Sequence, residues 1–251
     1  MDGGRPFERN PRMNDLLDQV LKAHGGLDRW RRFRQVRASI VTGGAFWRMK
    51  GLVPDPYVRV MRVKLDEEWS SVKPFGAPDM LTDFTPGRIA ILKTDGSIVA
   101  ERKNPRAAFD GHQQKTLWDP LHHAYFTGYA LWTYLTTPFL LAMYGVETAE
   151  LAPWREGQET WRMLRATFPP SIATHSAVQD FFVGPDHLLR RHDYNVDVAG
   201  GFDVAQLLFD YAEADGIKLP TRRRAYQRGA DHRPRLDPLM VSIDISDVRF
   251  E

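Results

Sequence analysis

Residues 117–144 read LWDPLHHAYFTGYALWTYLTTPFLLAMY, the longest apolar run in the chain and the densest in aromatic residues. No charged residue occurs from Ala124 to Val146. Segments with the two-residue alternation of strands precede and follow this run. An apolar helical segment between strands predicts a buried element around which a sheet is organised.

Local signals divide this run into two helices. Asp119 is a suitable N-cap, and Pro120 stands at the favoured first helical position. Apolar side chains then recur at helical spacing at Leu121, Tyr125, Phe126, Tyr129, Trp132 and Leu135. Pro138 lacks an amide hydrogen and disfavours helix in the residue before it. The sequence therefore predicts helices at about 121–135 and 139–144.

A membrane-spanning helix is the alternative interpretation, because roughly 20 apolar residues can cross a bilayer. Gly128, four threonines, Pro138 and the pair His122–His123 favour a buried helix, as do the charged flanking strands. We therefore expect no transmembrane span. Peripheral contact with a membrane stays open.

Composition excludes several classes of protein. The chain has 251 residues, 43% of them hydrophobic, and a net charge of only +2, which does not favour nucleic-acid binding. It has no cysteine, so disulfides, thiolate nucleophiles and cysteine metal sites are excluded. The HExxH, GxSxG, Walker and dinucleotide motifs are also missing, and we expect no metal and no cofactor. The polar N-terminus, MDGGRPFERNPRMNDLL, shows no secretory signal and predicts a cytoplasmic location if it is the native start.

The remaining chain reads as a sheet. Residues 1–11 are predicted to form a flexible arm, and residues 12–251 a single domain with a helical insertion at about 117–146. A helix is predicted at Met13–His24, and about ten or eleven strands follow. Gly43–Gly44 predicts a hairpin between strands at Val36–Thr42 and Ala45–Leu52. The short turns predict an α+β, mainly β fold, with one curved antiparallel sheet wrapped around the central helices.

Four stretches carry a resemblance to a known superfamily. They read LKAHGGLDRWRRFRQVRASI (21–40), FFVGPDHLLRRHDYNVD (181–197), LLFDYAEADGIKLPTRRRAY (207–226) and LMVSIDISDVRF (239–250). In this order they resemble LolA-like proteins, which include outer-membrane lipoprotein-sorting carriers, over about two-thirds of the chain. The resemblance implies an unclosed β-barrel lined with apolar groups, plugged by helices, that binds acyl chains. Because no signal peptide is visible, it favours a soluble bacterial branch without an assigned activity over lipoprotein transport.

Polar residues on one strand are the candidates for a ligand anchor. Alternation along Leu188–Val196 puts Arg190, His192 and Tyr194 on the more apolar face, which predicts that they point toward the helices. A buried arginine needs a partner. It could form a structural network with an acid such as Asp119 or Asp210, or it could bind a ligand carboxylate or carbonyl. Arg222 and Arg224 are expected on a solvated edge.

Three functions remain open at this stage. The first is binding of a hydrophobic or amphipathic, lipid-like small molecule between the sheet and the central helix. The second is an enzyme in the same cavity, with His122 or His192 as acid or base. The third is a structural or partner-binding protein whose helices fill the sheet. The predicted ligand-binding residues are Trp118, His122, Tyr125, Phe126, Tyr129, Trp132, Arg190, His192 and Tyr194. Oligomeric state and ligand identity are not predictable from the sequence.

Overall fold

A computed structural model describes residues 14–53 and 57–251, and the predicted arm at 1–11 lies outside them. Within these residues, thirteen strands form one sheet. They are β1 (Gln35–Gly43), β2 (Arg59–Lys64), β3 (Ser70–Lys73), β4 (Met80–Thr85), β5 (Arg88–Lys93), β6 (Ile98–Lys103), β7 (Glu147–Glu156), β8 (Glu159–Thr167), β9 (Val178–Val183), β10 (Leu189–Val196), β11 (Phe202–Ala214), β12 (Ile217–Arg228) and β13 (Pro234–Phe250).

The sheet is antiparallel and unclosed. Its order is β6-β5-β4-β3-β2-β1-β13-β12-β11-β10-β9-β8-β7, so β1 and β13 join an N-terminal half to a C-terminal half. The two edge strands, β6 and β7, are consecutive in the chain. The segment between them therefore has to cross from one edge of the sheet to the other. This topology confirms the predicted fold class.

The described helices are α1 (Asp15–Ala23), α2 (Leu27–Trp30), α3 (Ala45–Met49) and α4 (Pro120–Thr136), with short 3-10 turns at Pro105–Phe109, Phe139–Ala142 and Asp197–Ala199. The helix predicted at 121–135 is α4, whereas the second central helix is only the turn at Phe139–Ala142. Asp119 caps α4 by accepting a hydrogen bond from the His122 amide at 2.8 Å. In the described part of the chain, no helix combines the length and hydropathy needed to cross a bilayer.

Helix α4 lies in the segment that crosses the sheet, and it packs on β2–β6. We call this side of the sheet the inner face. Gly128 permits the close approach, because a Cβ there would lie 2.5 Å from Cγ of Phe84 on β4. Ser70 on β3 donates a hydrogen bond to the Gly128 carbonyl at 3.0 Å. Trp132 fills the same side, and its indole donates to the Lys64 carbonyl at 3.0 Å. The N-terminal half of the sheet is thus filled by α4.

The predicted strand at Ala45–Leu52 is wrong, because most of this stretch is helix α3. Gly44 has a φ of 109°, and a Cβ on it would lie 2.3 Å from the Met240 carbonyl oxygen. The glycine therefore turns the chain away from β1 and across β13. The predicted hairpin would instead have brought the chain back alongside β1. Strands β4 and β7 were not predicted.

Candidate functional site

A cavity lies on the inner face, between α3, α4 and the strands β10–β13 of the C-terminal half. Sixteen residues line it, and none of them is charged. Helix α3 contributes Phe46 and Trp47, and α4 contributes one side of its surface. The lining residues are Thr42, Phe46, Trp47, Phe126, Thr127, Ala130, Leu131, Tyr134, Tyr194, Val196, Phe202, Val204, Ala225, Met240, Val241 and Ile243.

The cavity is narrow in this conformation. The surrounding groove, counted together with its open solvent, spans about 510 Å³, but the space that the centre of a water-sized sphere can occupy is only about 30 Å³. The smaller value decides what fits, because the larger one includes solvent outside the walls. Room for a water or two is present. A lipid-sized molecule would need a wall to move.

A chain of buried hydrogen bonds runs from the cavity wall into the core. Gln206 Nε2 donates to Tyr194 Oη at 3.3 Å, and Tyr194 Oη lies 2.9 Å from Tyr134 Oη. Tyr134 Oη lies 2.7 Å from His175 Nε2, and His175 Nδ1 lies 3.2 Å from Tyr129 Oη. Burial raises the pKa of the Tyr134 and Tyr194 hydroxyls, so both keep their protons to donate.

Arg223 on β12 orients the amide at one end of this chain. Its Nη1 donates to Gln206 Oε1 at 3.0 Å, and a guanidinium can only donate. The Gln206 amide nitrogen must therefore face Tyr194. The Tyr194 hydroxyl accepts this hydrogen bond, and the Tyr134, His175 and Tyr129 side chains continue the chain.

Arg223 also completes the C-terminal end of α4. Pro138 has no amide hydrogen to offer the Tyr134 carbonyl four residues before it. Arg223 Nη2 donates to that carbonyl at 2.8 Å, and the guanidinium lies 4.7 Å from the centre of the Tyr134 ring. A cation at a helix C-terminus is stabilised by the helix dipole. Both Nη atoms of this fully buried arginine are thus engaged, whereas its Nε has no hydrogen-bond partner among the described residues.

His192 lies behind the cavity wall. Its Nε2 bonds to Gln179 Oε1 at 2.6 Å, and its ring stacks on Phe181 with centroids 4.3 Å apart. Burial first, and next the proximity of two other titratable groups, His175 and Arg223, hold the pKa of His192 well below its ordinary value. Burial likewise lowers the pKa of His175 to about 3. Both imidazoles are therefore neutral members of the core, and His192 is not among the lining residues.

Arg190 does not join the residues that alternation placed beside it. A bulge in β10 inserts Arg190 as an extra residue opposite β9, so the two-residue period fails there. Leu189 is consequently in the core, and Arg190 pairs with Asp186 in the adjoining turn at 2.6 Å. The predicted inner position of Arg190 is wrong. Tyr194, by contrast, is on the inner face as predicted and lines the cavity.

The other predicted site residues mostly support the helix. Of these, only Phe126 lines the cavity. His122 completes the cap of α4 and bonds through Nε2 to the Ala108 carbonyl at 3.0 Å. Trp118 packs edge-on against Phe46. Tyr125, Tyr129 and Trp132 are core residues outside the lining.

The acids considered as partners are occupied elsewhere. Asp119 pairs with Arg102 at 2.6 Å, and Asp210 pairs with Arg222 at 2.9 Å. Arg224 pairs with Asp244 at 2.7 Å. Arg222 is half exposed and Arg224 only 20% exposed, and both lie on β12, an interior strand of the sheet, so the predicted solvated edge is wrong. Across residues 14–53 and 57–251, no group of three or more histidines, cysteines or acids could hold a metal ion.

Solved structures with a similar architecture identify the type of fold. The sequence matches no protein-family model and no curated protein significantly. A DUF1329 family protein from Desulfovibrio piger superposes with a TM-score of 0.53 at 12% identity, over 94% of this chain and 92% of that one. A LolA superfamily protein from Nitrosomonas europaea gives 0.50 at 12% identity, over 92% of each chain.

A putative outer membrane lipoprotein-sorting protein domain from Vibrio parahaemolyticus gives a TM-score of 0.52 at 8% identity, over 94% of this chain and 91% of that one. The chain has a LolA-like fold. The resemblance carried by the sequence is confirmed at this level. Because the sequence identity is so low, these structures show that the chain shares their architecture and nothing beyond it.

Proposed function

We propose that this LolA-like protein binds a hydrophobic or amphipathic, lipid-like small molecule in the cavity between α4 and strands β10–β13. The observation that carries the proposal is the asymmetric position of α4. The helix packs on the N-terminal half of the sheet, and an uncharged cavity lies between it and the C-terminal half. A wall of apolar side chains with a few hydroxyls is the usual form of a lipid-binding site.

Helix α3 is the wall that would open. It has only five residues, and its Phe46 and Trp47 cover the cavity. Gly44 before it and Gly51 after it both have positive φ, at 109° and 74°. A short helix between two glycines can change orientation without straining the sheet. A movement of α3 away from the sheet would widen the cavity enough to admit a ligand.

An enzyme in this cavity has less support. Neither His122 nor His192, the two histidines considered as acid or base, is among the residues that line the cavity. His122 is held by a helix cap and a backbone carbonyl, and His192 by Gln179. Their hydrogen bonds are those of structural groups.

Two measurements test the proposal together. We expect native mass spectrometry of the protein purified from its own host to show a bound small molecule that is lost on organic extraction. We also expect the amides of residues 45–52 to exchange hydrogen faster than those of α4 in the extracted protein, and to slow when N-phenyl-1-naphthylamine is added. An unliganded mass together with no slowing by this apolar probe would favour the alternative in which the helices only fill the sheet.

A further inference from the structure

Thr127 is a buried hydroxyl on the cavity wall without a hydrogen-bond partner. The residue is 4% exposed and lines the cavity between Phe126 and Ala130 of α4. Its Oγ1 makes no hydrogen bond within the described residues. A buried hydroxyl in this state is destabilising unless something else satisfies it.

The other threonines of this region make the bond that Thr127 lacks. Thr133 Oγ1 donates to the carbonyl four residues earlier at 2.9 Å, and Thr136 does the same at 2.8 Å. Thr137, just past the helix, donates to the Thr133 carbonyl at 2.7 Å. This back-bonding is the usual solution for threonine in a helix. Thr127 differs from these three threonines in that it lines the cavity, although its Oγ1 exposes almost no surface in this conformation.

The remaining polar groups of the wall are already engaged. Thr42 Oγ1 accepts a hydrogen bond from Arg59, which is not itself a lining residue. The Trp47 indole donates to the Gly43 carbonyl at 3.1 Å. The Tyr134 and Tyr194 hydroxyls bond to each other at 2.9 Å. The polar position offered to a ligand is thus the Thr127 hydroxyl, which can both donate and accept.

The uncharged wall specifies the chemistry of the polar group. An ionised carboxylate or phosphate would lose its hydration in this cavity and find no cation among the sixteen lining residues. A hydroxyl or an ester carbonyl loses much less on burial and matches a single hydroxyl partner. Resting on the proposed function, we infer that the ligand is a neutral amphiphile, such as a long-chain alcohol or an acylglycerol, whose polar group bonds to Thr127.

The test compares three probes of equal chain length. Dodecanol, dodecanoate and dodecane compete at pH 8 with N-phenyl-1-naphthylamine in the wild type, in Thr127→Val and in Thr133→Val. Valine keeps the shape of threonine and removes the hydroxyl. We expect the wild type to prefer dodecanol to dodecanoate. We expect Thr127→Val to lower the affinity for dodecanol roughly three- to tenfold, the scale of one hydrogen bond, and to leave the affinity for dodecane unchanged.

Thr133→Val is the matched control, since the Thr133 hydroxyl bonds within the helix. This variant should leave the order of the affinities for the three probes unaltered. Near-ultraviolet circular dichroism checks the fold of both variants. A preference for dodecanoate, or equal affinity for dodecanol with and without the Thr127 hydroxyl, would overturn the neutral-ligand inference alone. Failure of all three probes and of the fluorophore to bind the wild type would instead remove the proposed function.

Discussion

At the scale of single residues, the core beside the cavity is organised by one cation. Arg223 orients the amide of Gln206, and this amide donates to the Tyr194 hydroxyl in a chain that reaches His175. Sequence reasoning found Tyr194 of this network, because alternation held on that part of β10. It missed Arg223, because nothing local distinguishes this residue from Arg222 and Arg224 on the same strand.

Neutral buried histidines predict loss of stability in acid. Burial lowers the pKa of His175 and His123 to about 3, and that of His24 to about 4. In the unfolded chain these imidazoles titrate near 6.5 and bind protons that the folded chain does not. The contribution of these histidines to the free energy of unfolding is therefore fully present above pH 6.5 and is lost as the pH falls toward 4.

The variant His175→Gln removes one of these groups. We expect its unfolding free energy to fall less steeply than that of the wild type between pH 6.5 and 4, by up to about 1.4 kcal/mol per pH unit. Urea denaturation at a series of pH values measures this slope. His232→Asn, which replaces a histidine at an exposed position, is the control. Identical slopes for His175→Gln and the wild type would mean that His175 is protonated in the folded protein.

At the scale of elements, α4 was predictable in its bounds and not in its orientation. Asp119–Pro120 and Thr137–Pro138 are local signals, and they placed both ends within a residue. The helix is apolar on nearly all sides, so no periodicity could tell the cavity side from the side on β2–β6. Helix α3 was misread because the close approach of Gly44 to Met240, far away in sequence, decides its backbone conformation.

Gly128 is the position where this docking can be tested. Alanine would favour the helix by roughly 1 kcal/mol over glycine. Its Cβ, however, would lie 2.5 Å from Cγ of the fully buried Phe84. We expect the steric clash with Phe84 to outweigh the gain in helix propensity, so that Gly128→Ala lowers the unfolding free energy by about 1–3 kcal/mol, the usual scale of overpacking.

Chemical denaturation measures this effect. A second variant, Phe84→Leu, makes room for the new methyl group. The double variant should therefore be less destabilised than the sum of the two single changes. A gain in stability for Gly128→Ala alone would show that α4 does not pack on β4 at this distance.

At the scale of the whole molecule, one sheet offers two inner halves. Helix α4 packs only on the first, while α1 and its capping residues contact β7, β8 and β11 of the second. The open edges β6 and β7 lie at the ends of the sheet, and the helical segment joins them. Fold class and the antiparallel order followed from short turns and alternation. The cavity did not, because it is formed by residues from α3, α4 and strands of both halves, and most of these residues were not candidates from the sequence.

The proposed ligand would occupy the space between α4 and the C-terminal strands. Filling that space with a side chain tests it most directly. Ala225 on β12 lines the cavity, whereas Ala212 on β11 is exposed. We expect Ala225→Leu to weaken N-phenyl-1-naphthylamine at least tenfold in a fluorescence titration, because the added methylenes occupy the volume that the probe needs. Ala212→Leu should bind as the wild type does. Equal affinity in Ala225→Leu, with its near-ultraviolet circular dichroism unchanged, would contradict the account.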